Sequence, residues 1–444
     1  MAPGHANEHG PDQVARTAER PGPLLTLAAL ALIVGTTTAV AGAALRIGLE
    51  HSEGLRSALI AWAHGKALAG FLIVIATCTA ATIIAAWLVR RFSPHAAGSG
   101  IPHVEAVLHG QLPPAPYGLV PIKFVGGILA IGSGLALGRE GRCVQIGASC
   151  GVVAGRIFGR SWPDCRVLLA AGAGAGLATA FNAPIAGPVF VLEELVQRFE
   201  HRIAIAALAA SATGIALART LLGDAPDFHV GALEYGTAGS RPLFFALGCV
   251  SGLLAVAYNR TLLATMKAAE RLDVLSVHLR AGLIGAAVGT LAWFAPQLVG
   301  GGDAITQRTL AGGEVLSLVP LAFLLRFGLG AVSYAAATPG GLFAPLLVLG
   351  AQSGLLFAAL CRVSFPSLHL QPEAFAVVGM AAFFTGVVRA PITGIVLVTE
   401  MTNSVTMLLP MLGACFTAML VPTLLHNKPI YESLREHLVR AARR

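Results

Sequence analysis

The sequence has 444 residues, of which 55% are hydrophobic and only 12% are Asp, Glu, Lys or Arg. Because soluble domains carry about 25% charged residues, this composition excludes a soluble protein and indicates one large domain in a lipid bilayer. The net charge of +8 is spread over short basic clusters between apolar runs, so the charge pattern excludes nucleic acid as a partner.

The sequence contains no pattern that indicates an enzyme or a metal centre. It lacks H-E-x-x-H and G-x-S-x-G motifs, and its seven cysteines have no C-x-x-C spacing. His103 has no second His or Cys at ligand spacing, so it is interpreted as a polar helix residue. We therefore expect a protein that is not an enzyme, with no metal and no cofactor.

The polar and apolar segments predict three parts. Residues 1–22 are polar and hold three prolines, which indicates a cytoplasmic N-terminal tail. Apolar runs follow over residues 23–425, the first at 23–47, and several reach the roughly 20 residues that a membrane-spanning helix needs. Residues 426–444 are basic and are predicted to form a cytoplasmic helix. The sequence therefore predicts an all-α polytopic membrane domain between two cytoplasmic termini.

Four shorter apolar segments begin at or beside Gly or Pro and carry polar residues near their ends. These segments span residues 99–109, 140–159, 184–197 and 390–401. Because Gly and Pro interrupt helices, the segments are predicted to be helices that begin partway through the membrane. A glycine at every fourth residue from Gly147 to Gly159 predicts a helix face that packs closely against another helix.

The charges of the loops predict the orientation of the chain. Basic residues cluster at 90–91, 156–166, 198–202 and 428–444, whereas the loop at 223–240 holds three acidic residues and no Lys or Arg. The positive-inside rule places the basic loops and both termini in the cytoplasm, and the acidic loop outside. We expect a multi-pass protein of the cell inner membrane.

An internal repeat divides the membrane domain. Residues 183–193 read APIAGPVFVLE and residues 390–400 read APITGIVLVTE, with seven of eleven positions identical. Two halves that share a broken-helix signature are typical of repeat-built transporters, which bind their substrate where the repeats meet. The sequence therefore predicts two repeats, at about 23–222 and 242–425, and the loop charges indicate that they are inverted.

Three glycine-rich segments share a design suited to an anion. They read GSGIP at 98–102, GREG at 138–141 and GGLFAP at 340–345. Glycine lets the backbone turn sharply and approach a ligand, and the helix that follows presents unpaired N–H groups with a partial positive charge. Such a helix start binds an anion without a full cation, which inside a membrane would be costly and would hold the ion too tightly. One such turn is ordinary helix punctuation, but three in a repeat-built domain favour a function.

These segments, in this order, resemble the CLC family of chloride channels and chloride/proton antiporters. The resemblance also covers FNAPIAG with two glutamates at 181–194, APITG with EMT at 390–402, and Tyr431 near the C-terminal end. It implies the CLC-type inverted-repeat fold with broken, tilted helices, and a homodimer with one ion pathway per subunit. The chain ends shortly after Tyr431, so the paired cytoplasmic nucleotide-binding modules of many eukaryotic members are not expected.

The resemblance implies a central anion site. The hydroxyls of Ser99 and Tyr431 would bind the anion together with the backbone N–H groups of Leu342 and Phe343. A serine at the position of Ser99 goes with chloride preference in the family, and an arginine at the position of Arg139 argues against a fluoride exporter. The transported ions would then be chloride and protons.

The resemblance also implies an outer anion site and two glutamates with distinct roles. Backbone N–H groups around Arg139, Glu140 and Gly141 would form the outer site. Glu140 would be the gating glutamate, because a carboxylate at a helix start mimics an anion and leaves that place when protonated. Glu194 would be the internal proton-transfer glutamate. A surface carboxylate at a helix start is the plain alternative for Glu140, but charges within membrane segments are rare and usually functional.

We therefore predict a secondary-active antiporter that moves chloride across a membrane in exchange for protons. The alternative is a passive voltage- or pH-gated chloride channel of the same fold. Glu194 argues against the channel, since many channels of the family lack this carboxylate, although Glu194 could also be the polar cytoplasmic end of a helix. Its neighbour Glu193 matches Glu400 in the repeat, which favours a structural role for that pair, whereas Glu194 matches Met401.

The sequence departs from the family pattern at two places. Arg142-Cys143 stands where the family usually has Pro followed by Thr, and we expect Arg142 to alter the potential of the outer vestibule or to pair with an acidic neighbour. Pro188 is expected to remove a backbone hydrogen bond and to bend the segment that leads to Glu194. Glu105, on the same short segment as Ser99, is expected to belong to a structural network.

Overall fold

The computed structural model describes residues 22–234, 238–271 and 276–443. Within these ranges the chain forms helices and turns, with two isolated β-bridges and no β-strand. The prediction of an N-terminal tail at 1–22 falls outside the described residues, apart from Gly22. The all-α prediction is confirmed for the part that the structure describes.

The helices follow one another through two halves and a C-terminal helix. The first half contains α1 (Leu24–His64), α2 (Ala67–Phe92), α3 (Ile101–Leu108), α4 (Leu119–Gly132), α5 (Glu140–Ile157), α6 (Trp162–Phe181), α7 (Ala186–Phe190) and α8 (His201–Leu222). The second half contains α9 (Arg241–Arg271), α10 (Val277–Phe294), α11 (Asp303–Leu310), α12 (Val319–Tyr334), α13 (Phe343–Ser364), α14 (Pro372–Val388), α15 (Pro391–Thr402) and α16 (Leu408–Leu424). Helix α17 (Ile430–Ala442) ends the described chain.

Eight of the described helical segments are long and apolar enough to cross a membrane. Many of their large apolar side chains are exposed on the surface of the protein, where lipid rather than water is the matching solvent. The protein is therefore a multi-pass membrane protein. The four interrupted segments predicted from Gly and Pro correspond to α3, α5, α7 and α15.

The first helix is longer than its apolar run predicts. The run ends at residue 47, whereas α1 continues to His64 and has 41 residues, which corresponds to about 60 Å. The additional turns carry Glu50, Glu53 and Arg56. These charged residues lower the mean hydropathy, so the sequence does not predict these turns as part of a membrane helix. Glu50 and Glu53 line a cavity together with Asp227 of the acidic loop, which is called the outer cavity because that loop is predicted to lie outside.

The two halves of the chain pack in the same way. In the first half α1 packs against α6 and α8, and α5 against α6; in the second half α9 packs against α14 and α16, and α13 against α14. Gly100 before α3 and Gly302 before α11 both adopt positive φ angles, 86° and 104°, in the left-handed region that favours glycine. The repeated packing extends the repeat from one eleven-residue segment to most of the membrane domain.

The glycine-lined face of α5 packs against α6, as predicted. A Cβ atom at Gly147 would collide with the carbonyl oxygen of Gly172, and one at Gly151 with that of Leu168. The backbones of the two helices therefore touch, which only small residues permit. The prediction was wrong for Gly159, because α5 ends at Ile157 and Gly159 lies in the following turn with open space around it.

The expected effect of Pro188 is also corrected by the structure. Pro188 is the third residue of α7, and the N–H groups of a first helical turn have no intrahelical partner in any case. The irregularity in this segment lies further on, where residues Val191–Leu195 form a turn of π-helix. The N–H of Val196 donates to the carbonyl oxygen of Val191 at 2.9 Å, which is the i to i−5 bond of that turn.

Candidate anion and proton site

Backbone hydrogen bonds hold the three glycine-rich loops together. The Gly98 N–H donates to Thr338 O and the Gly340 N–H donates to Gly98 O, both at 3.0 Å. Gly138 and Gly341 exchange two such bonds, each 2.8 Å long. Since these loops precede α3, α5 and α13, the starts of three helices converge on one point inside the membrane domain.

Two buried hydroxyl groups lie at this point. Ser99 and Tyr431 are 1% and 0% exposed, and within the described part of the chain neither hydroxyl has a hydrogen-bond partner. A Cβ atom at Gly141 would collide with the Ser99 hydroxyl, and the ring centroids of Tyr431 and Phe343 are 6.1 Å apart. The side chains predicted for the central site are therefore brought together, with Tyr431 in the first turn of α17.

Aromatic packing holds the start of α13 in place. The ring of Phe343 lies 4.7 Å from that of Phe384, 5.6 Å from Phe190 and 6.0 Å from Phe181, measured between centroids. All four side chains are at most 1% exposed. The predicted anion donors at Leu342 and Phe343 are backbone groups, so this packing fixes their direction while the side chains exclude water.

Glu140 is the first residue of α5 and lies directly beside the central hydroxyls. Its side chain is fully buried, and neither carboxylate oxygen has a hydrogen-bond partner among the described residues. The carboxylate lies against Gly138 and Gly341, where a Cβ atom would collide with it. Glu140 also lines an outer cavity of about 310 Å³. The carboxylate therefore lies where the loops at Gly138 and Gly341 meet that cavity.

An ion-pair network that the sequence did not indicate surrounds the outer cavity. Arg139 contacts Asp227 at 2.9 Å and Asp303 at 3.5 Å, and Arg46 also contacts Asp227 at 3.0 Å. The side chain of Arg139 is thus held away from the central site, and only its backbone remains available to an anion there. Asp227 belongs to the acidic loop at 223–240. From the sequence, the charges of this loop predicted only the orientation of the chain.

Two further residues of the site were missed. The ammonium group of Lys123 is fully buried and donates to the carbonyl oxygens of Ala96 and Gly98 at 3.0 and 2.8 Å. The Ser99 N–H donates to the Tyr334 hydroxyl at 3.3 Å. Lys123 was detectable, because a lone charge inside an apolar segment indicates a function; Tyr334 carried no comparable signal.

Glu194 lies apart from the loops, in the π-helical turn that follows α7. It is 5% exposed, and its turn packs against α3, the helix that carries Glu105. Glu105 forms an ion pair with Arg435 of α17, and its second carboxylate oxygen has no hydrogen-bond partner among the described residues. Arg435 follows Tyr431 by one helical turn, so α17 contacts both the central site and the surroundings of Glu194.

The structural role expected for Glu193 and Glu400 is confirmed. Glu193 accepts hydrogen bonds from the N–H groups of Ile392 and Thr393 at 3.0 and 2.7 Å. Glu400 accepts from the N–H groups of Ile185 and Ala186 at 3.0 and 2.8 Å. Each carboxylate therefore caps the first turn of the equivalent helix in the other repeat.

Of the two effects expected of Arg142, pairing with an acidic neighbour is not found among the described residues, and an effect on the potential of the outer vestibule stays a prediction. The Arg142 side chain is fully buried. Its terminal Nη2 group donates to the carbonyl oxygen of Gly138 at 2.9 Å. Gly127 of α4 leaves room for the guanidinium, because a Cβ atom there would collide with it.

The fold and the site define a polytopic membrane protein in which helix starts and buried carboxylates form an ion-binding region between two repeats. The sequence profile of the family described as voltage gated chloride channel matches residues 81–423. The chain belongs to this family, the CLC family. The resemblance recognised in the motifs and the predicted fold class are thereby confirmed.

Relatives and solved structures agree with this assignment. The chain is 33% identical over 431 residues to the H(+)/Cl(-) exchange transporter ClcA of Salmonella paratyphi B and to that of Salmonella newport, with 95% of this chain and 91% of each relative covered. A slow cyanobacterial Cl−/H+ antiporter is similar with a TM-score of 0.91 and 32% identity, over 96% of this chain and 100% of that one. A eukaryotic CLC transporter shares the fold, with a TM-score of 0.79 and 23% identity over 94% of this chain and 74% of that one.

Proposed function

We propose that this protein is a secondary-active antiporter that moves chloride across a membrane in exchange for protons. The observation that carries the proposal is the presence of two buried carboxylates, Glu140 at the start of α5 and Glu194 in the π-helical turn, together with the buried, unpartnered hydroxyls of Ser99 and Tyr431. Hydroxyl and N–H donors suit a chloride ion, and carboxylates suit a proton. The relatives named as chloride/proton exchangers support the same assignment.

In the proposed mechanism Glu140 exchanges places with chloride. As a carboxylate it occupies the outer anion position at the start of α5, where the partial positive charge of the helix favours an anion. When it takes up a proton it loses this attraction and leaves, and chloride can pass between the Ser99–Tyr431 site and the outer cavity. Glu140 thus either carries a proton or occupies the position of the anion. This alternation links proton movement to chloride movement.

Glu194 is proposed to exchange protons with the cytoplasmic side. It lies close to the surface at the end of a broken helix, and its neighbour Glu105 is already paired with Arg435. In this proposal protons pass between Glu194 and Glu140 by a route that chloride does not share. A passive channel of the same fold needs no such second carboxylate, which favours the antiporter.

We further propose a homodimer, with one pathway per subunit, in the cell inner membrane with both termini in the cytoplasm. The reciprocal caps formed by Glu193 and Glu400 are only partly buried, beside the exposed side chains of Ile185 and Ile392. Carboxylates that face lipid are costly, so a second copy of the chain covering this face would explain them. Cross-linking of cysteines introduced at Ile185 and Ile392 tests the dimer.

The transport proposal is tested in liposomes that contain the purified protein and a chloride gradient. We expect chloride flow down its gradient to drive protons against theirs. Glu140→Gln should abolish proton movement and leave chloride flux, because the amide cannot take up a proton or carry the charge that competes with chloride. Chloride flux without uphill proton movement in the unmodified protein would instead identify a passive channel.

A further inference from the structure

The guanidinium of Arg142 lies directly behind the gate position. Arg142 is the third residue of α5, two residues after Glu140. Its Nη2 group donates to the carbonyl oxygen of Gly138, the same residue against which the Glu140 carboxylate lies. On its other side the guanidinium packs against Gly127 of α4, where a Cβ atom would collide with it.

Two donor groups of this guanidinium remain unused. Nε and Nη1 of Arg142 are buried and have no hydrogen-bond partner among the described residues. A buried arginine usually has its donors satisfied, because an unpaired buried polar group costs free energy. The two oxygens of Glu140 are unpartnered as well, so a buried cation and a buried anion position lie on two sides of one glycine, each with unused hydrogen-bonding capacity.

Lys123 and Arg142 bind the glycine loops in the same way. Lys123 holds the carbonyl oxygens of Ala96 and Gly98, and Arg142 holds that of Gly138. The carbonyl oxygens of Gly98 and Gly138 also accept from the N–H groups of Gly340 and Gly341, so each cation adds to the hydrogen bonds that hold the loops together. Arg142 therefore adds a second, permanent positive charge behind the anion positions.

The other charged groups near Glu140 do not cancel this charge. Arg139, Asp303 and Glu53 line the same outer cavity as Glu140. Arg139 is already paired with Asp227 and Asp303. Arg142 has no such partner among the described residues, so its field is available to whatever anion occupies the gate position.

We propose that Arg142 is an affinity-determining residue of the outer anion position, where its unneutralised charge strengthens the binding of a small monovalent anion. This inference rests on the proposed anion pathway. It adds a charged residue to an anion site that is otherwise formed by glycine-rich loops and helix starts. Because a full charge in a low-dielectric site acts strongly over several ångströms, chloride should bind more tightly and leave more slowly than at a site formed by helix starts alone.

The test measures chloride binding by calorimetry on purified protein in detergent, in a Glu140→Gln background where no carboxylate competes. Arg142→Met is expected to weaken chloride affinity roughly tenfold, and Arg142→Lys, which keeps the charge, by less than about threefold. Gly127→Ala, which displaces the guanidinium but keeps it, should also weaken binding and serves if Arg142→Met does not fold. Affinity within twofold of the background in both Arg142→Met and Gly127→Ala would overturn the proposal.

A matched control separates charge from structure. Arg326 is another buried arginine that holds loop carbonyl oxygens, those of Leu298, Gly300 and Gly301. Arg326→Met should leave chloride affinity within twofold, and an equal loss in both arginine variants would assign the effect to loop structure and overturn the proposal. Absence of any chloride binding in the Glu140→Gln background would contradict the proposed transport function instead, so the two failures are distinguishable.

Discussion

The two repeat segments at 183–195 and 390–402 share most of their sequence but fold differently. Both begin with Ala-Pro-Ile, have glycine at the fifth position and glutamate at the eleventh, and in both that glutamate caps the other segment. The second segment is the regular twelve-residue helix α15. The first is the five-residue helix α7 followed by a π-helical turn.

The difference lies where the first segment has Glu194 and the second has Met401. Adjacent side chains on a regular α-helix point about 100° apart around its axis. The π-helical turn changes this angle between Glu193 and Glu194. Glu193 reaches across to α15, whereas Glu194 is buried near Glu105. Such π turns inside helices occur frequently at functional sites. The shared residues thus build the framework of both repeats, and the irregular turn adds a second, buried carboxylate to only one.

The comparison is tested most directly by placing glutamine at each of the two equivalent positions, 194 and 401, in turn. Glu194→Gln should reduce coupled proton transport at least tenfold while chloride flux continues, because an amide cannot release and take up a proton. Met401→Gln places the same amide at the equivalent position of α15 and should leave the proton-to-chloride ratio unchanged. Both ratios come from paired proton and chloride fluxes in liposomes, and an unchanged ratio in Glu194→Gln would remove this residue from the mechanism.

A second pair of substitutions tests how each segment tolerates proline. Ile395 is the fifth residue of α15 and matches Pro188 in the repeat. Ile395→Pro should lower the unfolding free energy by about 3 kcal/mol, since proline inside a helix loses a hydrogen bond and clashes with the preceding turn. Pro188→Ile should change it by less than about 1 kcal/mol, because Pro188 lies in a first turn. Unfolding in mixed detergent micelles measures both values; equal losses would mean that the two segments are not structurally distinct.

The sequence predicted those parts of the site that depend on neighbouring residues. Glycine and proline mark the starts of α3, α5 and α15 in the sequence, and the repeat pairs Glu193 with Glu400. Contacts between distant segments were not predictable in this way. Asp227 follows Arg139 by 88 residues and Arg46 by 181, and nothing in the local pattern joins them. The burial of Arg142 was missed for the same reason, because it depends on the space that Gly127 leaves on another helix.

The reciprocal caps are expected to give the smallest effects and to reveal how the two segments support each other. Glu193→Ala and Glu400→Ala should each lower the unfolding free energy by about 1–2 kcal/mol, because each leaves backbone N–H groups of a first turn without an acceptor. Glu193→Ala should cost more, since Glu193 also accepts from the Thr393 hydroxyl at 2.7 Å. Thr393→Val removes only that bond and should account for the difference.

Combining the two cap substitutions tests whether the caps act as one unit. Each capping glutamate is itself positioned by the segment that the other one caps, so losing the first should already weaken the hold of the second. The double variant should then cost less than the sum of the single ones by at least about 0.5 kcal/mol, the usual limit of additivity for independent sites. Strict additivity in the same unfolding measurement would mean that the two caps are independent, and that the short helix before Glu194 does not depend on the second repeat for its position.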